Sequence, residues 1–193
     1  SKLEAADLDA VIVPGGFGER GIEGKLASVK WAREHGIPFL GICLGFQMAV
    51  VEFAKNVVQL NDANSAEFDV NCAHPVIAEL PDQKEIEGLG GTMRLGGQDV
   101  EITPGTFAEK LFGATSVRER FRHRYEVEPT YIEQLTEAGL IFSGHHPEHQ
   151  IMQVLELSPE VHPYFIAGQF HPDLTSRPLH PQPMFMGLVA AAI

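Results

Sequence analysis
Positive charge is scarce in this sequence: 14 Lys and Arg stand against 26 Asp and Glu, for a net charge of −12. A surface of that sign repels phosphate backbones and anionic headgroups, so neither nucleic acid nor a membrane is an expected partner. Cysteine is scarce too. Two in 193 residues, Cys43 and Cys72, build no disulfide framework, and free thiols suit a reducing cytoplasm, which is the expected location. No apolar run reaches the roughly 18 residues of a spanning helix, and the first residues lack the pattern of a signal peptide. Low-complexity tracts are missing, and so is any Gly-x-x-x-x-Gly-Lys-Ser/Thr phosphate loop. What remains is 44% hydrophobic and 21% charged, enough for one domain with a sizeable core.

Strands and helices alternate early. The pattern predicts a strand over Ala10–Val13, a helix over Ile22–His35 closed by Gly36, a strand over Phe39–Ile42 and a helix over Leu44–Phe53. That order implies an α/β fold, doubly wound around a mostly parallel sheet, with chemistry at the C-terminal strand ends. Further on, Thr92–Thr103 reads as a hairpin turning at Gly96-Gly97, Phe107–Phe112 as a helix, Tyr125–Val127 as a strand and Thr130–Ala138 as a helix. Ile141–Ser143 and Met152–Leu157 read as strands around a His145-His146-Pro147 turn, and Met184–Ala192 as a closing helix.

Three of the strand ends carry chemistry. Gly41-Ile42-Cys43-Leu44-Gly45 places a cysteine between glycines on a strand-to-helix turn, the cysteine form of a nucleophile elbow. The sulfur there meets a helix N-terminus, which favours thiolate. Val11-Ile12-Val13 runs into Pro14-Gly15-Gly16-Phe17-Gly18, whose backbone N–H groups suit an oxyanion hole or, equally, a phosphate turn. Phe165–Phe170 runs into His171-Pro172-Asp173, a base followed by a carboxylate that can orient it.

These motifs resemble the class I (triad) glutamine amidotransferases and, more narrowly, the glutaminase domain of the CTP synthases. The narrower likeness rests on Pro14–Gly18, Asp62-Ala63-Asn64-Ser65, Gly90–Gly96, Arg122-His123-Arg124-Tyr125-Glu126-Val127 and Thr175-Ser176-Arg177-Pro178. It implies a flavodoxin-like fold spanning 1–193 as one glutaminase domain, N-terminally incomplete by its first strand–helix units and without the synthetase domain. It also implies hydrolysis of glutamine by Cys43, His171 and Asp173, with Gly16 and Leu44 as oxyanion donors. The ammonia would pass to a synthetase domain that aminates UTP to CTP with ATP and Mg2+. The partners implied are L-glutamine, that synthetase domain and further copies of the chain in a tetramer.

Gln47, Glu67 and Arg124 would bind the substrate zwitterion by the same resemblance, and Arg94 would sit on a lid linked to stimulation by GTP. Each also has a plainer reading, Glu67 as a solvated loop acid and Arg94 as a hairpin residue. Arg122 and Arg124 alternate with His123 and Tyr125, so both arginines share one strand face. The family usually carries glutamate where this chain has Asp173, a reach shorter by about 1.5 Å. His145, His146 and His149 match no zinc spacing, so no metal is expected, and this domain needs no cofactor of its own. His74, His162 and His180 precede prolines and read as turn residues, and Cys72 as structural. Rival functions are another triad glutaminase, a γ-glutamyl hydrolase, or a silent scaffold of the same fold.

Overall fold
The computed structural model describes residues 6–80 and 93–193. Its centre is a seven-stranded sheet of β1 (Val11–Val13), β2 (Phe39–Ile42), β5 (Arg94–Ile102), β6 (Ser116–His123), β8 (Ile141–His145), β9 (Met152–Glu156) and β10 (Phe165–Gly168). The spatial order is β1-β2-β10-β9-β8-β5-β6. A second sheet is made of β3 (Ala63–Ser65), β4 (His74–Ala78) and β7 (Glu126–Val127), in the order β3-β4-β7.

The α/β expectation stands, with one correction. In the large sheet, parallel pairing is confined to β1, β2 and β10, and every other pair of neighbours is antiparallel. The parallel trio carries all three motifs. β2 and β10 are apolar and buried throughout because both their faces are covered, and their alternate residues enter opposite cores, whereas in β1 the central Ile12 is exposed. Phe39, Phe165 and Ala167 face one cluster, and Leu40, Ile42 and Ile166 face the other.

Helix α1 (Ile22–His35) ends where Gly36 takes a left-handed conformation at φ 65°, which lets its N–H reach the Ala32 carbonyl. Helix α2 (Leu44–Asn56) is buried from Leu44 through Ala54, because it packs against β2 and β10 of the large sheet and against β3, β4 and β7 of the small one. On the other face, α3 (Phe107–Phe112) packs against α6 (Pro183–Ala191). A 3-10 turn at Pro129–Tyr131 leads into α4 (Ile132–Glu137), and α5 (Pro172–Thr175) follows β10. No helix among the described residues is long and apolar enough to cross a membrane.

The hairpin expected at Gly96-Gly97 is not there. Arg94–Ile102 is one strand, paired along its length with β6 from Arg94↔His123 to Glu101↔Ser116. Gly97 leaves room for the Arg118 side chain, which donates to the Gly97 carbonyl at 2.7 Å. The part of that expectation at Thr92, and the Gly90-Gly91 portion of the resemblance, lie outside the described residues. His74 opens β4 rather than marking a turn. His162 is buried and bonded to the Ala32 carbonyl through Nε2 at 3.0 Å.

Candidate active site
The turn after β2 bends sharply enough to put Cys43 at φ 51°, ψ −100°, a conformation that costs a side-chain-bearing residue about 1–3 kcal/mol. Its neighbours must be glycines. A Cβ at Gly45 would lie 2.0 Å from the Val13 carbonyl oxygen, and one at Gly41 would lie 2.8 Å from the Gly45 backbone. The strained turn is pinned by Cys43 N–H donating to the Gly168 carbonyl of β10 at 2.8 Å.

Because β1, β2 and β10 are parallel neighbours, their C-terminal ends bring the Gly15-Gly16 loop, Cys43 and His171 to one place. A Cβ added at Gly15 would touch both side chains, at 2.8 Å from His171 Cε1 and 3.5 Å from Cys43 Cβ. His171 is anchored by its N–H donating to the Arg120 carbonyl at 2.8 Å. Its Nδ1 lies 3.5 Å from Asp173 Oδ1, while Nε2 is buried without a hydrogen-bond partner among the described residues. That leaves Nε2 as the nitrogen available for chemistry.

The expected thiolate is not the resting state. Burial pushes the Cys43 thiol up to about 12, because removing a charged sulfur from water outweighs the Leu44 N–H that favours it. The charge of Glu126 adds to the rise. The thiol donates to the Arg122 carbonyl at 3.7 Å. Burial likewise lowers His171 below the ordinary imidazole value. Asp173 opposes that fall, while His123, when its own ring is protonated, and Arg122 reinforce it.

A cavity of about 300 Å³ opens over the sulfur, lined among others by Gly16, Leu44, Gln47, Glu67, His123 and Arg124. The expected substrate contacts Gln47, Glu67 and Arg124 therefore meet in one space. Gln47 is one helical turn past Cys43, and its side-chain N–H2 group donates to the Tyr125 carbonyl at 2.9 Å. Glu67 accepts from the Gly18 N–H at 3.3 Å, which ties the Pro14–Gly18 loop to the cavity wall. Arg122 and Arg124 both face outward as their alternation requires, although β6 ends at His123 and Arg124 sits on the bend beyond it.

Arg94 needs correcting. It is no hairpin residue: it opens β5, is 3% exposed and is held inside by Glu126 Oε1 at 3.0 Å, by Gln98 Oε1 and by the Phe121 ring 4.8 Å beneath it. The same Glu126 oxygen bonds His123 Nε2 at 2.7 Å. Sequence reasoning passed over His123 and Glu126. The signal was available in β6, where Glu119, Phe121 and His123 alternate with Arg118, Arg120 and Arg122, so His123 had to point inward. The His146 and His149 rings lie 4.9 Å apart, tilted at 50°, and no group of three or more His, Cys, Asp or Glu among the described residues is placed to hold a metal.

The glutamine amidotransferase class-I family model matches residues 1–191. The chain belongs to that family. CTP synthase of Haloarcula hispanica is 57% identical over 97% of the chain and 34% of its own length. CTP synthase of Archaeoglobus fulgidus is 56% identical over 97% of the chain and 35% of its own length. The amidotransferase chain thus spans about a third of the length of these curated relatives. Among solved structures, the glutaminase domain of Trypanosoma brucei CTP synthase with bound acivicin superposes with a TM-score of 0.88 at 38% identity, covering 96% of this chain and 71% of that one.

Proposed function
We propose that this amidotransferase domain hydrolyses the side-chain amide of L-glutamine and hands the ammonia to a synthetase domain of the same polypeptide. That domain aminates UTP to CTP with ATP and Mg2+, under GTP control, in a cytoplasmic homo-oligomer. The observation that carries the hydrolytic half is that Cys43 and His171 both flank Gly15, with Cys43 lining a cavity sized for an amino acid. The synthetic half is supported by the likeness to CTP synthases over nearly the whole chain.

Chemistry follows from the resting geometry. The thiol proton is held toward the Arg122 carbonyl, and attack requires it to move to His171 Nε2 as the sulfur closes on the amide carbon. The tetrahedral oxyanion is received by the N–H groups of Leu44 and Gly16, donors of a kind worth about 3–4 kcal/mol. His171 returns the proton to the amide nitrogen, the C–N bond breaks, and ammonia leaves a γ-glutamyl thioester on Cys43. Water, deprotonated by His171, then releases glutamate. Glu67 and Arg124 offer the opposite charges that a zwitterion needs at its α-carbon.

The test uses the full-length polypeptide. Cys43→Ala is expected to abolish CTP formation from glutamine and preserve CTP formation from added ammonium salt. Loss of both, or survival of both, overturns the reading, and turnover of γ-glutamyl peptides in place of glutamine points to a hydrolase.

A further inference from the structure
His123 is the second imidazole of this cavity and has no part in the acyl-transfer steps above. It closes β6 with its ring turned inward, is 2% exposed, and lines the same cavity as Cys43. Its Nε2 is committed to Glu126 Oε1 at 2.7 Å. Glu126 is fully buried and also bonded by Arg94 Nη1 at 3.0 Å. Burial alone would protonate this carboxyl, but His123 and Arg94 outweigh it and hold the group below the usual carboxylate range. An ionised carboxylate accepts, so Nε2 carries the hydrogen and Nδ1 is left with its lone pair in the neutral ring. That Nδ1 is buried with no partner among the described residues. Buried polar atoms are nearly always satisfied, so an unpartnered nitrogen on a ring that lines the reaction cavity is a candidate to be completed by what fills the cavity.

We infer that His123 Nδ1 accepts a hydrogen bond from the leaving nitrogen of the substrate amide, and so from the ammonia that departs. This rests on the glutaminase reading above. The amide nitrogen carries two hydrogens in the ground state and gains a third from His171 as the C–N bond breaks, so its donors grow more acidic toward the transition state. An acceptor fixed there by Glu126 and Arg94 binds the transition state more tightly than the substrate. Pairing with carboxylate strengthens the acceptor, as it does for metal-bound histidines.

The signature is selectivity for a leaving group that has N–H. Glutamate γ-methyl ester passes through the same thioester but leaves as an alcohol, which offers the acceptor nothing comparable. In the full-length polypeptide, His123→Gln keeps a donor for Glu126 and removes Nδ1. We expect kcat/KM for glutamine to fall roughly 10- to 100-fold while that for the ester changes less than about threefold. His123→Asn sets its amide near the place of Nδ1 and recovers part of the loss. Equal loss on both substrates, at unchanged melting temperature, reduces His123 to a structural residue and overturns the inference. Should both variants unfold, the decision falls to 15N-histidine NMR of Cys43→Ala saturated with glutamine. There the His123 Nδ1 resonance moves upfield on accepting the bond, and an unmoved resonance overturns it. Wild-type polypeptide inactive on both amide and ester sinks the glutaminase reading itself and this inference with it.

Discussion

Asp173 reaches toward His171 without closing on it: 3.5 Å separates Oδ1 from Nδ1, and the Asp173 side chain is 52% exposed. A charged pair at that distance orients an imidazole weakly, because a bond of full strength needs about 2.7–2.9 Å. Lengthening the side chain by one methylene closes such a gap. Asp173→Glu is therefore expected to match or exceed the parent glutaminase rate. Asp173→Asn removes the charge that raises the His171 pKa, so the imidazole titrates lower still. Catalysis needs the neutral ring, present above its pKa, and the acid limb of kcat/KM moves to lower pH in Asp173→Asn while the plateau falls. A pH–rate profile with neither change makes Asp173 a bystander.

The raised thiol of Cys43 sets a second expectation. With substrate absent, the sulfur is protonated at neutral pH, and its thiolate fraction climbs tenfold per pH unit until about 12. Alkylation of Cys43 by iodoacetamide should keep rising past pH 9, where an ordinary cysteine has levelled off. A diazo-ketone analogue of glutamine, which binds before it reacts, should label Cys43 at neutral pH and spare Cys72. Labelling of Cys72 alone would remove Cys43 from the nucleophile's place.

Two glycines separate folding from chemistry. Gly45→Ala drives a Cβ to 2.0 Å from a backbone oxygen of β1, which cannot step aside, so a loss of several kcal/mol or outright failure to fold is expected. Gly15→Ala meets the His171 ring at 2.8 Å, and a ring can rotate away. Its melting temperature should stay near the parent value while kcat drops at least about tenfold, roughly 1.4 kcal/mol of barrier. Thermal melts beside steady-state rates on the pair decide it, and a Gly15→Ala chain of normal rate would place the base elsewhere.

Away from the site, Arg33 on α1 clamps Glu52 of α2 with two bonds, Nε to Oε2 at 2.9 Å and Nη2 to Oε1 at 2.8 Å. Glu52 is 1% exposed, so Arg33→Ala strands a buried carboxylate. A loss of about 3 kcal/mol in urea unfolding is expected. Glu52→Gln together with Arg33→Met should cost far less, since no charge is then left alone. Equal costs would mean that packing, rather than the charge, ties the two helices.

The parallel half was legible because its signals are local. A continuous apolar run, a glycine at each bend and a left-handed Gly36 named β2, α1 and the elbow almost to the residue. The antiparallel half was not, and β6 shows why. Ser116–His123 carries Glu119 and His123 on its inward face, so its period-two pattern holds in burial and is hidden in polarity. Glu119 makes sense there only with partners distant in sequence, Thr175 and Gln182, while His123 needs the bend that returns Glu126, three residues on, to its ring. Arg94 read as a hairpin or lid residue because its partner Glu126 lies 32 positions away. Of the candidate site, sequence picked out Cys43, His171 and the Gly15-Gly16 loop, which the fold brings to one place, and missed the buried Arg94–Glu126–His123 chain.

The strand β6 ends the sheet on the side opposite β1, yet Arg120 and Arg122 present their carbonyls to His171 and Cys43. An edge strand with free carbonyls invites a second molecule to add to it. Here the two residues of the reaction occupy that edge themselves, so the same contacts that hold the site closed also keep the strand from pairing with a neighbour. Loosening the turn after β10 then has two outcomes at once, a slower enzyme and a stickier one, and self-association becomes a readout of a disassembled site.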